Sequence, residues 1–154
     1  MSAVPIRAIR LSILLLGAAL LAGCQTLGGA GLIQSVAHAE LSQEAANSIA
    51  GDMVGRLAEH VGPGSSTIQL RSDGSMFGQA LEASLKGWGY AVVTEQKTTD
   101  PNIVDLAYVV DTFEASVLAR LSTRSINLTR MFALTTSGAT PISPLSVMAI
   151  GQGG

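Results

Sequence analysis

The chain has 154 residues, room for one domain with an appended segment. Nine basic residues against eleven acidic ones leave a net charge of −2, which argues against a nucleic-acid-binding surface, since that usually needs a basic patch. The single cysteine excludes an intrachain disulfide.

Residues 1–23 follow the secretory pattern. Arg7 and Arg10 form a positive start, Leu11 to Ala22 an apolar run, and "LAGC" a small-residue cleavage zone. A helix of that run rises about 18 Å, short of a hydrocarbon core of ~30 Å, so a cleaved signal fits better than an uncleaved anchor. Its removal takes away two arginines and leaves seven basic residues against eleven acidic, a net charge of −4. Arg120, Arg124 and Arg130 make the last third mildly basic and read as a solvated strand face.

An odd cysteine in an exported chain suggests a free thiol or an intermolecular bridge. "Leu21-Ala22-Gly23-Cys24" resembles the lipobox of bacterial lipoproteins, a branched apolar residue and two small residues before the cysteine. The resemblance implies an S-diacylglycerol, N-palmitoyl Cys24 as the first residue after cleavage. Two or more acyl chains anchor a protein stably, whereas one binds marginally. An Asp after the cysteine signals inner-membrane retention in such lipoproteins. Gln25 stands there instead, which implies the outer membrane with the domain facing the periplasm.

Residues 24–40 are rich in Gly and Ala and read as a flexible tether. The domain is expected over 41–150, with a disordered tail at 151–154. Ser42 is a candidate N-cap, and Ala45, Ile49, Met53, Leu57 and Val61 recur every fourth residue, predicting a helix that Gly62-Pro63-Gly64 ends. "STIQLR" (66–71) alternates as a short strand. A turn at 72–75 then leads to a second helix with Phe77, Leu81, Leu85 and Trp88 as its buried stripe. "YAVVT" (90–94) is the next strand and "EQKTTDPN" a polar loop. Strands follow at 103–113, 116–123, 126–135 and 143–150, the last after a turn in "TTSGATPISP". Arg130 interrupts the apolar parity of Ile126, Leu128, Phe132 and Leu134. The expected fold is α+β, a two-layer sandwich: an N-terminal helix and a β-α-β unit, then an antiparallel meander.

No catalytic constellation is visible. His38 and His60 lack further ligands at metal-binding spacing. No Gly-x-Ser-x-Gly elbow occurs. Asp105 and Asp111 share strand parity but lie about 20 Å apart along it, too far for a glycosidase pair. No catalytic, metal, cofactor or small-molecule site is expected, and direct nucleic-acid contact is not expected either. The free edges of the late strands and the strip "PISPLSV" are candidate docking surfaces, unless the domain covers them itself.

The lipobox, the tether, "FGQALEASLKGWGYAVV" and the ending "LTRMFALTTSGATPISPLSVMAIG" together resemble the TrbH family. These are small lipoproteins of Trb-type conjugal transfer systems on Ti-like and broad-host-range plasmids. The resemblance spans the whole chain and implies an outer-membrane subunit of a type IV secretion, mating-pair-forming apparatus. Its implied partners are membrane lipid, through Cys24, and other transfer proteins. A surface-exclusion or envelope lipoprotein with a single partner is the alternative, and a cell-wall hydrolase lacks its catalytic residues.

Overall fold

The computed structural model describes residues 34–94 and 100–151. The expected signal, Cys24, Gln25, the first part of the expected tether, residues 95–99 of the polar loop and residues 152–154 lie outside them. Among the described residues, two helices pack on a mixed, strongly curled eight-stranded sheet that forms a half-barrel, so the fold is α+β.

The first strand, β1 (Val36–Ala37), is followed by helix α1 (Gln43–Leu57). The Ser42 hydroxyl accepts the Ala45 N–H at 3.2 Å, which satisfies one of the unpaired donors of the first turn. Ala46, Ile49, Ala50, Met53, Val54 and Leu57 are fully buried along one stripe, the reason this sequence stays helical in its tertiary setting. The i+4 spacing extends to Val61, but the regular helix closes at Leu57. The N–H groups of His60 and Val61 both turn onto the Leu57 carbonyl, at 2.9 and 2.8 Å. Val61 in turn offers its carbonyl to the Tyr90 hydroxyl, fixing the chain just before the Gly-Pro-Gly break.

Strand β2 (Thr67–Leu70), helix α2 (Met76–Gly87) and strand β3 (Ala91–Val93) form the expected β-α-β unit, with β2 and β3 parallel and in register from Thr67↔Ala91. Ser75 caps α2 by accepting the Gly78 N–H at 3.1 Å. At the other end Gly89 takes φ +90. Its N–H reaches the Lys86 carbonyl at 3.0 Å and the Tyr90 N–H reaches Leu85 at 3.1 Å, a Schellman turn. That turn leaves Trp88 at the cap position rather than in the stripe. Trp88 is 48% exposed, a correction to its expected burial, and its ring lies over Gly55 of α1.

The meander is β4 (Ile103–Phe113), β5 (Ser116–Ser122) and β6 (Ile126–Thr135), all antiparallel in sequence. Its outer strand positions are shared. On one side of β4, β2 pairs with residues 103–106 and β1 with Val109 and Val110, both parallel. On the far side of β6, strand β7 (Gly138–Pro141) pairs with residues 132–135 and β8 (Ser146–Ala149) with residues 126–129. The expected turn before the last strand therefore contains a strand of its own, and the last strand is shorter than 143–150. The core lies between the helices and the inner sheet face, where Ile68, Leu70, Leu106, Tyr108, Leu121, Leu128 and Phe132 are buried.

Candidate functional site

A polar cluster joins the first described residues to β4 and the turn before α2. Tyr108 of β4 is fully buried, its ring edge-on to Phe77 with centroids 5.1 Å apart. Its hydroxyl donates to the Asp73 carboxylate and accepts the Asp73 N–H at 3.1 Å. The same carboxylate accepts the N–H of Ser75 at 2.9 Å and of Ala37 at 2.8 Å. Burial pushes the Asp73 carboxyl up, but the hydrogen bonds from Ser75, Tyr108 and Ala37 outweigh it and hold the pKa below the ordinary value. Burial raises the Tyr108 phenol, keeping it protonated as a donor. Gly78 is required beside it, because a Cβ there would run into the Tyr108 hydroxyl and come within 2.8 Å of Ser72 Oγ.

This cluster makes the late tether part of the body. The Ser35 hydroxyl accepts the Tyr108 N–H at 3.1 Å. His38 and Ala39 donate to the Val110 carbonyl at 2.9 and 3.3 Å. Residues 35–39, which composition alone places in the tether, are thus bonded to β4 and Asp73.

A second polar junction explains Arg130. It shares the inner face with Leu128 and Phe132, and its Nη1 donates to both Asp52 carboxylate oxygens on α1, at 2.8 and 2.9 Å. Its Nε donates to the Ser143 carbonyl at 3.0 Å. Arg130 is a brace between α1, β6 and the β7–β8 loop, not the solvated residue expected. Arg120 is exposed as expected, and Arg124, also exposed, reaches Asp105.

The other candidate residues do not assemble into a site. Asp105 pairs with Arg71 at 3.5 Å and Arg124 at 2.5 Å, while Asp111, exposed farther along β4, accepts the Thr112 N–H at 2.8 Å. Among the described residues, no three His, Cys, Asp or Glu side chains are placed to hold a metal ion. A shallow polar depression is lined by Ser65, Ser66, Thr67, Asp100 and Asn102. The Asp100 carboxylate there accepts from the Thr67 hydroxyl at 2.6 Å and the Asn102 N–H at 2.8 Å. Those bonds, Thr67 foremost, lower its pKa. No described helix is long and apolar enough to cross a membrane.

The free edge beside β6 is the remaining candidate surface. Ile142 donates to the Met131 carbonyl at 2.9 Å and Ile150 to Ser125 at 2.7 Å. Ladder parity then turns the backbone of Ala139 and Pro141, and of Val147 and Ala149, away from β6. On β7 the outward positions include Pro141, which has no donor to offer. On β8 all four residues are exposed.

Residues 27–151 match the family model described as "Conjugal transfer protein TrbH". The chain belongs to the TrbH family of conjugal transfer proteins. A relative from Sinorhizobium fredii (strain NBRC 101917 / NGR234), named "Probable conjugal transfer protein TrbH", is 49% identical over 135 residues, covering 84% of this chain and 90% of that protein. No solved structure matches. Membership of a TrbH-type transfer system implies other transfer proteins as partners.

Proposed function

We propose that this TrbH-family chain is a lipid-anchored, non-enzymatic assembly subunit of the conjugal transfer apparatus, held at the outer membrane through acylated Cys24 with its domain in the periplasm. Family membership carries the transfer role. The anchor rests on the order of basic start, apolar run and "LAGC" in the sequence, and on the capacity of two or more acyl chains to hold a protein permanently. Gln25 supports the outer-membrane address. A structural role is supported by how the polar groups are used: Asp73, Tyr108, Asp52 and Arg130 serve to brace elements against one another. With the anchor at Cys24 and the body bonded from Ser35, the ten or so residues between them can reach at most roughly 35 Å. The domain accordingly works close to the membrane surface.

The test is a deletion strain complemented with the wild-type chain or with Cys24→Ser. The wild-type protein is expected in the outer-membrane fraction with transfer restored. Cys24→Ser is expected to leave that fraction and to lower transfer frequency. A Cys24→Ser protein that still fractionates with outer membranes and supports full transfer overturns the anchoring role. A deletion that leaves transfer intact but alters recipient behaviour indicates an exclusion lipoprotein instead.

A further inference from the structure

We infer that β8 pairs edge to edge with β8 of a second copy of this chain, antiparallel, about a two-fold axis at Met148. The outward-facing backbone groups on β8 are those of Val147 and Ala149, and no described residue bonds them. A two-fold axis at Met148 sets Val147 of one copy opposite Ala149 of the other, twice. These are the positions whose N–H and C=O both face the gap, so the pairing closes four hydrogen bonds without disturbing the β6 ladder. The side chains suit the same register. On the inner face a large residue, Val147, meets a small one, Ala149, and on the outer face Met148 meets Met148.

Charge selects the occupant. No charged side chain occurs from Met131 to Gly154, although the whole chain carries twenty. Natural sheets commonly guard an edge with Lys, Pro or a bulge. Here Pro141 blunts β7, while β8 has neither charge nor proline. An uncharged strand has no repulsion against itself and nothing to recognise in a charged partner strand. Val147 and Met148 are 46% and 60% exposed, and Ile142 beside them is 54% exposed. The pairing would cover these apolar side chains and join two half-barrels through one continuous sheet.

The test uses the full chain in envelopes, oxidised with copper-phenanthroline. Met148→Cys places two thiols in a non-hydrogen-bonded pair with Cα atoms about 4.5 Å apart, within disulfide range. Phe113→Cys is the comparison, on the same outer face and equally exposed at 60%. Dimer is read above the unsubstituted chain, whose one thiol is Cys24, so a fault in the anchor reading appears there and not in the comparison. The expected result is a homodimer from Met148→Cys several-fold above Phe113→Cys. Adding Val147→Pro, which removes an outward donor but no β6 bond, should return it to the comparison level while the far-UV circular dichroism, which reports the fold of each copy, stays unchanged. Three results each overturn the pairing: no excess dimer, a Met148→Cys adduct with a different protein, or a dimer indifferent to Val147→Pro.

Discussion

Replacing Tyr108 with Phe isolates the junction that ties the entering chain to the body. The ring and its edge-on contact with Phe77, 5.1 Å between centroids, remain, so packing is conserved and only the hydroxyl is lost. Three hydrogen bonds go with it: one donated to the Asp73 carboxylate, one accepted from the Asp73 N–H, and a long one of 3.4 Å shared with the Ser75 hydroxyl. A bond to a charged group contributes about 1.5–3 kcal/mol and a neutral one about 0.5–1.5 kcal/mol. Asp73 is exposed enough for water to replace part of this, which brings the expected loss down to about 1–2 kcal/mol. Urea unfolding of the purified protein at pH 7 reads it directly. The pH dependence supplies the sharper check. The Asp73 pKa is depressed in the folded state, so its stabilisation is complete above the unfolded value of 3.8 and is lost as pH falls through the folded value. The gap between wild type and Tyr108→Phe should therefore be full at neutral pH and narrow below pH 3.8. A variant as stable as wild type at pH 7, or a gap that persists unchanged in acid, would show that the Tyr108 hydroxyl does not hold the Asp73 carboxylate.

Four further outcomes are expected. Arg130→Met should cost about 1.5–3 kcal/mol by urea unfolding, and Asp52→Ala added to it should cost markedly less than it does alone, because the two share one interaction. Gly138→Ala should destabilise by about 1–3 kcal/mol, since φ at that residue is +142 and a Cβ would strike Ser48 Oγ and lie 3.2 Å from the Glu44 carbonyl. Glu114 holds φ 53 in the β4–β5 turn, so Glu114→Gly should raise stability by up to about 1 kcal/mol in thermal melts. Gly55→Ala places a methyl 3.3 Å from the Trp88 ring. Because that ring is half-exposed and free to tilt, stability should change by under about 1 kcal/mol while the fluorescence of the single tryptophan shifts to the red.

The parts of this fold legible in sequence are those specified by nearby residues. Strands β4 and β6 fall on the bounds that alternation predicts, and Ser42 and Ser75 cap the helices that follow them. What alternation cannot display is a partner far along the chain. β1 is two residues in a Gly- and Ala-rich stretch, made into a strand by Val109 and Val110 and by Asp73. Arg130 breaks the apolar parity of β6 for a reason 78 residues away, at Asp52. β7 was hidden by its own turn chemistry, since Gly138 and Pro141 both signal a turn. The Gly sits where φ is positive and the Pro where the edge needs no donor. Trp88 completes the helical stripe of Phe77, Leu81 and Leu85 at i+3, yet Gly89 ends the helix around it. At the candidate site, sequence marks Cys24 and Gln25 by chemistry alone. The outward parity of β8 required the register of β6, which no local pattern contains.

An anchored subunit inside the transfer apparatus should travel with its partners through purification. Affinity purification from outer membranes of mating-competent cells, followed by mass spectrometry, reads this out. Other transfer proteins should co-elute with the wild-type chain and be lost with Cys24→Ser. A wild-type chain that elutes free of every transfer protein, from cells in which transfer depends on it, would rule out a subunit of the apparatus.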